Sequence, residues 1–151
     1  MKKIVVGMLL VAGIYLSSQS VDITKLDSTV TAPASNLDQT KYERALSRAF
    51  ETQQSDIQVQ GSGIVIKVLA DDNDGSRHQR FILRLPSGQT VLVAHNIDLA
   101  PRIDTLAKGD TVEFFGEYEW NNKGGVIHWT HHDPKGRHIG GWLKHNGKTY
   151  Q

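Results

Sequence analysis

Five of the chain's seven histidines fall between His128 and His145. Four lie in the run His128-Trp129-Thr130-His131-His132-Asp133-Pro134-Lys135-Gly136-Arg137-His138. Imidazole titrates near neutral pH, moves protons and binds metal ions. Packing so many beside Trp129 and Trp142 is costly in a core and unnecessary in a solvated loop, so the cluster marks a candidate site. Side chains alternate along a strand. On a strand running from Val126 to His132, His128, Thr130 and His132 share one face, and Trp129 and His131 share the other. If the chain turns back at Lys135-Gly136, His138 meets His131 or His132. His128, His132, His138 and Asp133 then become candidate ligands for a divalent metal ion. The spacing matches no established zinc signature, and His131 and His132, being adjacent, point apart. A structural role competes, in which these imidazoles close a barrel mouth by hydrogen-bonding to backbone carbonyls.

Two further constellations carry chemistry. In His78-Gln79-Arg80-Phe81 a histidine and an arginine share a strand face. Arg80 and Arg84 could grip a phosphate or carboxylate as planar forks, or pair on the barrel exterior with Glu113, Glu117 or Glu119 at little gain in stability. The segment His95-Asn96-Ile97-Asp98-Leu99-Ala100-Pro101-Arg102 starts at a strand end, where loops often carry function. Asp98 could orient His95 and leave its other nitrogen free as a base or ligand. Equally, Asn96 and Asp98 could cap a short helical turn.

Three functional readings follow. In the binding reading, His78, Arg80, Arg84 and Arg102 supply polar and charged contacts while Trp129 and Trp142 stack. The ligand is then anionic or extended, of oligonucleotide or oligosaccharide class. In the enzymatic reading, His95, Asp98, His128 and His132 activate water, alone or on a divalent metal, for phosphodiester-type hydrolysis. In the third, the protein is a structural envelope component whose histidines pack or sense pH. Several chemistries are excluded. No cysteine is present, which removes thiol catalysis and disulfides. There is no Gly-x-Ser-x-Gly and no glycine-rich phosphate loop. The acidic run Asp71-Asp72-Asn73-Asp74-Gly75 fails the calcium-loop pattern, because its glycine comes one position early and its twelfth position is Ile82.

The elements that must position these groups are mostly strands. Thr40 and Glu43 have capping-box spacing, and Tyr42, Ala45, Leu46, Ala49 and Phe50 follow as an apolar helical stripe. From Ile57 the period changes to two. Strands are predicted around Ile64–Val68, over His78–Leu85, Thr90–His95, Thr111–Trp120 and Val126–His132. Turns fall at 71–75, at Pro86-Ser87-Gly88-Gln89, at Lys108-Gly109-Asp110 and at Asn121-Asn122-Lys123-Gly124-Gly125. Asn96–Thr105 alternates poorly and reads as a loop or one helical turn. The fold class is therefore mainly β: a small five-stranded OB-fold-like barrel preceded by one short N-terminal helix. Gly61-Ser62-Gly63 would kink a long first strand. An SH3-like barrel or a small sandwich is the alternative.

The N-terminus resembles an export signal. Lys2 and Lys3 precede an apolar run from Ile4 to Leu16, too short to span a bilayer. Ser18 and Ser20 place a cleavage site before Val21. The expected organisation is a signal peptide over 1–20, a flexible linker over 21–37 and one OB-like domain over 38–151 with a C-terminal extension. The expected location is periplasmic or secreted, with membrane contact only through the N-terminal segment. Removing two lysines takes the net charge from +1 to −1, so no global charge favours nucleic acid.

The segments Arg77–Phe81, His95–Arg102 and Gly124–Pro134, with Gly140-Gly141-Trp142 and Asn146–Gln151, resemble the bacterial family called domain of unknown function 3465. The resemblance runs from about Ala45 to Gln151. It implies a small exported bacterial protein and brings no activity, substrate or catalytic residue.

Overall fold

The computed structural model describes residues 34–151. The expected signal peptide and the linker up to residue 33 lie outside the described residues. A helix, α1 (Ala34–Glu51), leads into seven strands: β1 (Ile57–Val68), β2 (His78–Arg84), β3 (Thr90–Asn96), β4 (Thr111–Glu119), β5 (Val126–His128), β6 (Trp142–His145) and β7 (Lys148–Tyr150). Helix α1 begins before Thr40, so Thr40 and Glu43 lie within it and do not form its start. Residues 34–37, expected as linker, are its first turn.

Five strands close a barrel in the order β1-β2-β3-β5-β4, with β4 returning to β1. The closing pair β3–β5 is parallel and sets Leu92 opposite Val126. All the other pairs are antiparallel. This is the OB plan, and closure of one sheet on itself excludes the sandwich. Each strand obeys period two, because alternate side chains face the interior. Phe81, Leu83, Val91, Val93, Val112, Phe114, Tyr118 and Ile127 fill that interior, all at 1% exposure or less. Leu46 and Ala49 of α1 and Ile103 of the β3–β4 connection complete the core. The indole N–H of Trp120 donates to the Phe50 carbonyl at 3.1 Å, which ties the end of α1 to the barrel.

Strand β1 runs unbroken through Gly61 and Gly63 and pairs with β4 up to Ile64 and with β2 from Ile64 onward. Its irregularity falls between Val65 and Lys67, not at the expected Gly-Ser-Gly kink. The two glycines instead make room: a Cβ on Gly61 would sit 2.7 Å from the Phe114 ring.

Strand β5 is the main departure from expectation. It ends at His128, because Trp129 adopts a φ of +51° and turns the chain out of the sheet. Thr130 and His131 are then both buried, so the expected alternation through His132 is lost. The chain makes an excursion over 129–141 and returns as β6, which pairs with β4 at Val112–Phe115, beyond the stretch Glu117–Glu119 used by β5. The C-terminal extension is thus a β6–β7 hairpin added to the sheet.

Gly125, at the end of the β4–β5 hairpin, has a φ of +99°, and an added methyl would overlap the Tyr118 ring. Gly125→Ala is expected to destabilise the fold by about 3 kcal/mol through strain and overpacking together. A urea midpoint within error of the parent would refute this.

Candidate functional site

The outer face of the barrel carries an open groove. The outward positions of β2, β3 and β5 supply His78 and Arg80, Leu92 and Ala94, and Val126 and His128. With Asp72 and Glu119 they line a cavity of about 390 Å³. A second cavity of about 150 Å³ adjoins it, sharing His78, Ala94 and His128 and adding Asn96, Leu99, Trp129 and His131. The floor is aliphatic and the rim is polar.

Of the residues singled out by sequence, His78, Arg80, His128 and Trp129 meet on this groove. The others do not. Arg84 borders a separate hollow with Ile64 and Pro86. Arg102 is held by Asp71 at 3.0 Å and Asp104 at 3.2 Å. Arg80 pairs with Asp72 at 3.3 Å and donates to the Ala70 carbonyl, instead of reaching the β4 glutamates. Trp142 lies against Phe115, with ring centroids 6.2 Å apart, and borders another hollow with Lys144 and Thr149. His132 is exposed, and its carbonyl accepts the His131 Nδ1–H at 2.7 Å.

His95 points into the barrel and is fully buried. Its Nε2–H donates to the Pro101 carbonyl at 3.2 Å. A carbonyl can only accept, so Nδ1 carries no proton in the neutral ring and accepts the Thr130 hydroxyl at 2.8 Å. Desolvation drives its pKa down to about 4, with His131 and His78 adding repulsion against the Pro101 bond. The expected Asp98–His95 contact is not made. Asp98 binds the Arg77 backbone N–H and guanidinium, both at 2.7 Å, and these hold its carboxyl below the usual range. The Asp98 N–H donates to Asn96 Oδ1, which is the capping alternative. The set His95, Asp98, His128 and His132 therefore shares no pocket.

Asp133 is engaged by its own loop. Its carboxylate accepts the N–H groups of Lys135, Arg137 and His138 at 2.9, 2.6 and 3.0 Å. These bonds, Lys135 first, lower its pKa and organise the loop. The loop is closed at its base by the Gly141 N–H bonded to the His131 carbonyl. A side chain at Gly141 would overlap the carbonyls of Trp129 and Phe115, so only glycine lets the chain re-enter here.

The excursion places His138 flat on Trp129, with centroids 3.8 Å apart and planes 14° apart. His138 Nδ1 then lies 3.6 Å from Glu117 Oε2. On the other side of the same carboxylate, His128 Nε2 lies 3.4 Å from Glu117 Oε1 and 3.9 Å from Glu119 Oε1. Burial lowers the His128 pKa more than the two carboxylates raise it. Sequence reasoning had these glutamates only as partners for arginine. The signal was present: Glu117 and Glu119 share one strand face, and a hairpin through Gly124-Gly125 sets Glu117 opposite His128.

A family model described as "Protein of unknown function (DUF3465)" matches residues 27–151. The chain belongs to that family. No curated protein matches it. The DUF3465 match spans the described helix, the barrel, the excursion and the closing hairpin.

A neutral, buried His95 has a stability consequence for this DUF3465 member. The unfolded ring protonates below about pH 6.5 and the folded ring only near 4, so stability is full above that window and falls as pH drops through it. The expected loss is about 3 kcal/mol. The acidic groups Asp98, Asp110 and Asp133, all lowered from 3.8, add their own loss from about pH 5 downward, equally in the parent and the variant. Urea titrations between pH 7 and 4 are expected to show this slope in the parent and a shallower one in His95→Gln. Equal slopes would contradict the assignment.

Proposed function

We propose that this DUF3465 protein is an exported binding module whose groove takes an extended, uncharged polar ligand of oligosaccharide class. The observation that carries this reading is the groove itself, an aliphatic floor of Leu92, Ala94 and Val126 edged by His78, Arg80, Asp72, Asn96 and His128. It occupies the strand 2–3 face that OB barrels use for oligonucleotides and oligosaccharides. Electrostatics selects between those two classes. Phosphate binding needs cations that can replace counterions. Here Arg80 and Arg102 are already paired with carboxylates, and Asp72 and Glu119 stand in the groove wall. One face of Trp129 is covered by His138, so it serves as a wall and not as an open stacking platform. Carboxylate, amide and imidazole groups above an aliphatic floor suit sugar hydroxyls and their C–H faces. Export is supported by the sequence of residues 1–20, with cleavage placed before Val21.

Titration calorimetry with neutral oligosaccharides and with single-stranded DNA, at about 0.15 M salt, tests the ligand class. Binding of a neutral glycan, weakened at least about tenfold by Ala94→Trp with no drop in melting temperature, is the expected outcome, since about 1.4 kcal/mol of lost contact gives that factor. Salt-sensitive DNA binding that Ala94→Trp leaves intact would sink the proposal. Mass spectrometry of periplasmic or secreted protein is expected to find Val21 as the first residue. A chain retaining Met1–Leu16 would contradict cleavage.

A further inference from the structure

Beside the groove, Glu117 and Glu119 present two carboxylates on one face of β4. Adjacent carboxylates repel and are costly to desolvate. The Glu117 side chain is only 18% exposed. Among the described residues, the ion-pair partners of these two glutamates are the imidazoles of His128 and His138, with no lysine or arginine. The two carboxylates therefore have no permanently charged cation beside them. A second observation is independent of charge: His128 Nε2 is buried and has no hydrogen-bond partner. Buried polar atoms are nearly always satisfied, so an orphan calls for an explanation.

We propose that Glu117, Glu119 and His128 form a binding site for a divalent first-row transition ion of the zinc class. One donor atom from each lies within 4.8 Å of the other two. Bonds of about 2.1 Å at tetrahedral angles set ligand atoms about 3.4 Å apart. The distances of 3.4 and 3.9 Å from His128 Nε2 to the two carboxylates lie in that range. An imidazole with carboxylates selects zinc-like ions over calcium or magnesium, which prefer oxygen alone. The ion would also satisfy the orphaned Nε2 and neutralise the glutamate pair. His138 takes a positioning role. It faces the second oxygen of Glu117, and its ring is fixed by Trp129. Partners behind a ligand orient it in this way and tune affinity. His132 and Asp133 take no part, as one is exposed and the other is spent on backbone N–H groups. Glu119 and His128 also line the larger cavity, so the ion stands at the groove wall, though the site does not depend on what fills the groove.

The test uses the full mature chain, stripped of metal and titrated with zinc alone, with stoichiometry from elemental analysis. Cobalt(II) absorption reports the donor set. One zinc per chain is expected, lost in Glu117→Gln and in Glu119→Gln and retained in His132→Gln. His138→Gln is expected to keep the cobalt spectrum and weaken affinity about 10- to 100-fold. Excess magnesium or calcium should not compete. Glu119 is the more exposed of the two carboxylates, so Glu119→Gln carries the test if Glu117→Gln fails to fold. Zinc bound equally by the parent and both glutamine variants, no zinc bound at all, or zinc lost in His132→Gln instead would each overturn the proposal.

Discussion

Strand β4 must satisfy two hydrogen-bonding edges, and the rest of the molecule is arranged around how it does so. Along one edge it pairs with β1 from Thr111 to Tyr118. Along the other, β5 covers Glu117–Glu119 and β6 covers Val112–Phe115. Two short strands thus do the work of one long strand, and the chain between them is free to leave the sheet. Buried backbone groups must find partners wherever they go. The excursion meets that demand at its base with the Gly141–His131 bond, while the Asp133 carboxylate ties its exposed turn together. Because the interruption falls where it does, His138 comes back over Trp129 and reaches Glu117.

Much of the polar chemistry inside the barrel is architectural. Gln79 faces inward and is fully buried, and its amide clamps both the N–H and the carbonyl of Ile103, at 2.9 and 2.8 Å. His95 holds Pro101 and Thr130 in the same fashion. Together they draw the β3–β4 connection and the start of the excursion onto the core. His145, also buried, binds Asp110 at 2.8 Å where that connection enters β4. Three of these loop anchors are therefore polar side chains on strands, chosen for hydrogen-bonding shape. Of the other five histidines, His78, His128, His131 and His138 face the groove or the glutamates, and His132 is exposed.

The local grammar of the chain was readable. Alternation in Phe81-Ile82-Leu83 and Val91-Leu92-Val93 marked the inner and outer faces, and the turn residues marked every connection within the barrel. The Thr40-x-x-Glu43 spacing does not mark the helix start, because the same spacing can also fall inside a helix. Gln79 went unassigned, although a lone amide at an inward strand position is a sign of a buried clamp. The sequence pattern carries the fifth strand past its end at His128, because Trp129 is a good strand former. Its left-handed backbone ends β5 there, and Gly141 packs against its carbonyl.

What the residues determined unaided was the five barrel strands and the faces of the first four, since period and turn chemistry act over a few positions; the β6–β7 hairpin was not legible. Membership of DUF3465 was also legible in the linear order of motifs. What the tertiary structure decided was companionship. It sent His95 inward, gave Asp98 to Arg77, spent Asp133 on its own loop and set two glutamates against His128 and His138. Those pairings depend on cross-strand register and on where a distant segment returns, and neither leaves a mark in the spacing of neighbouring residues.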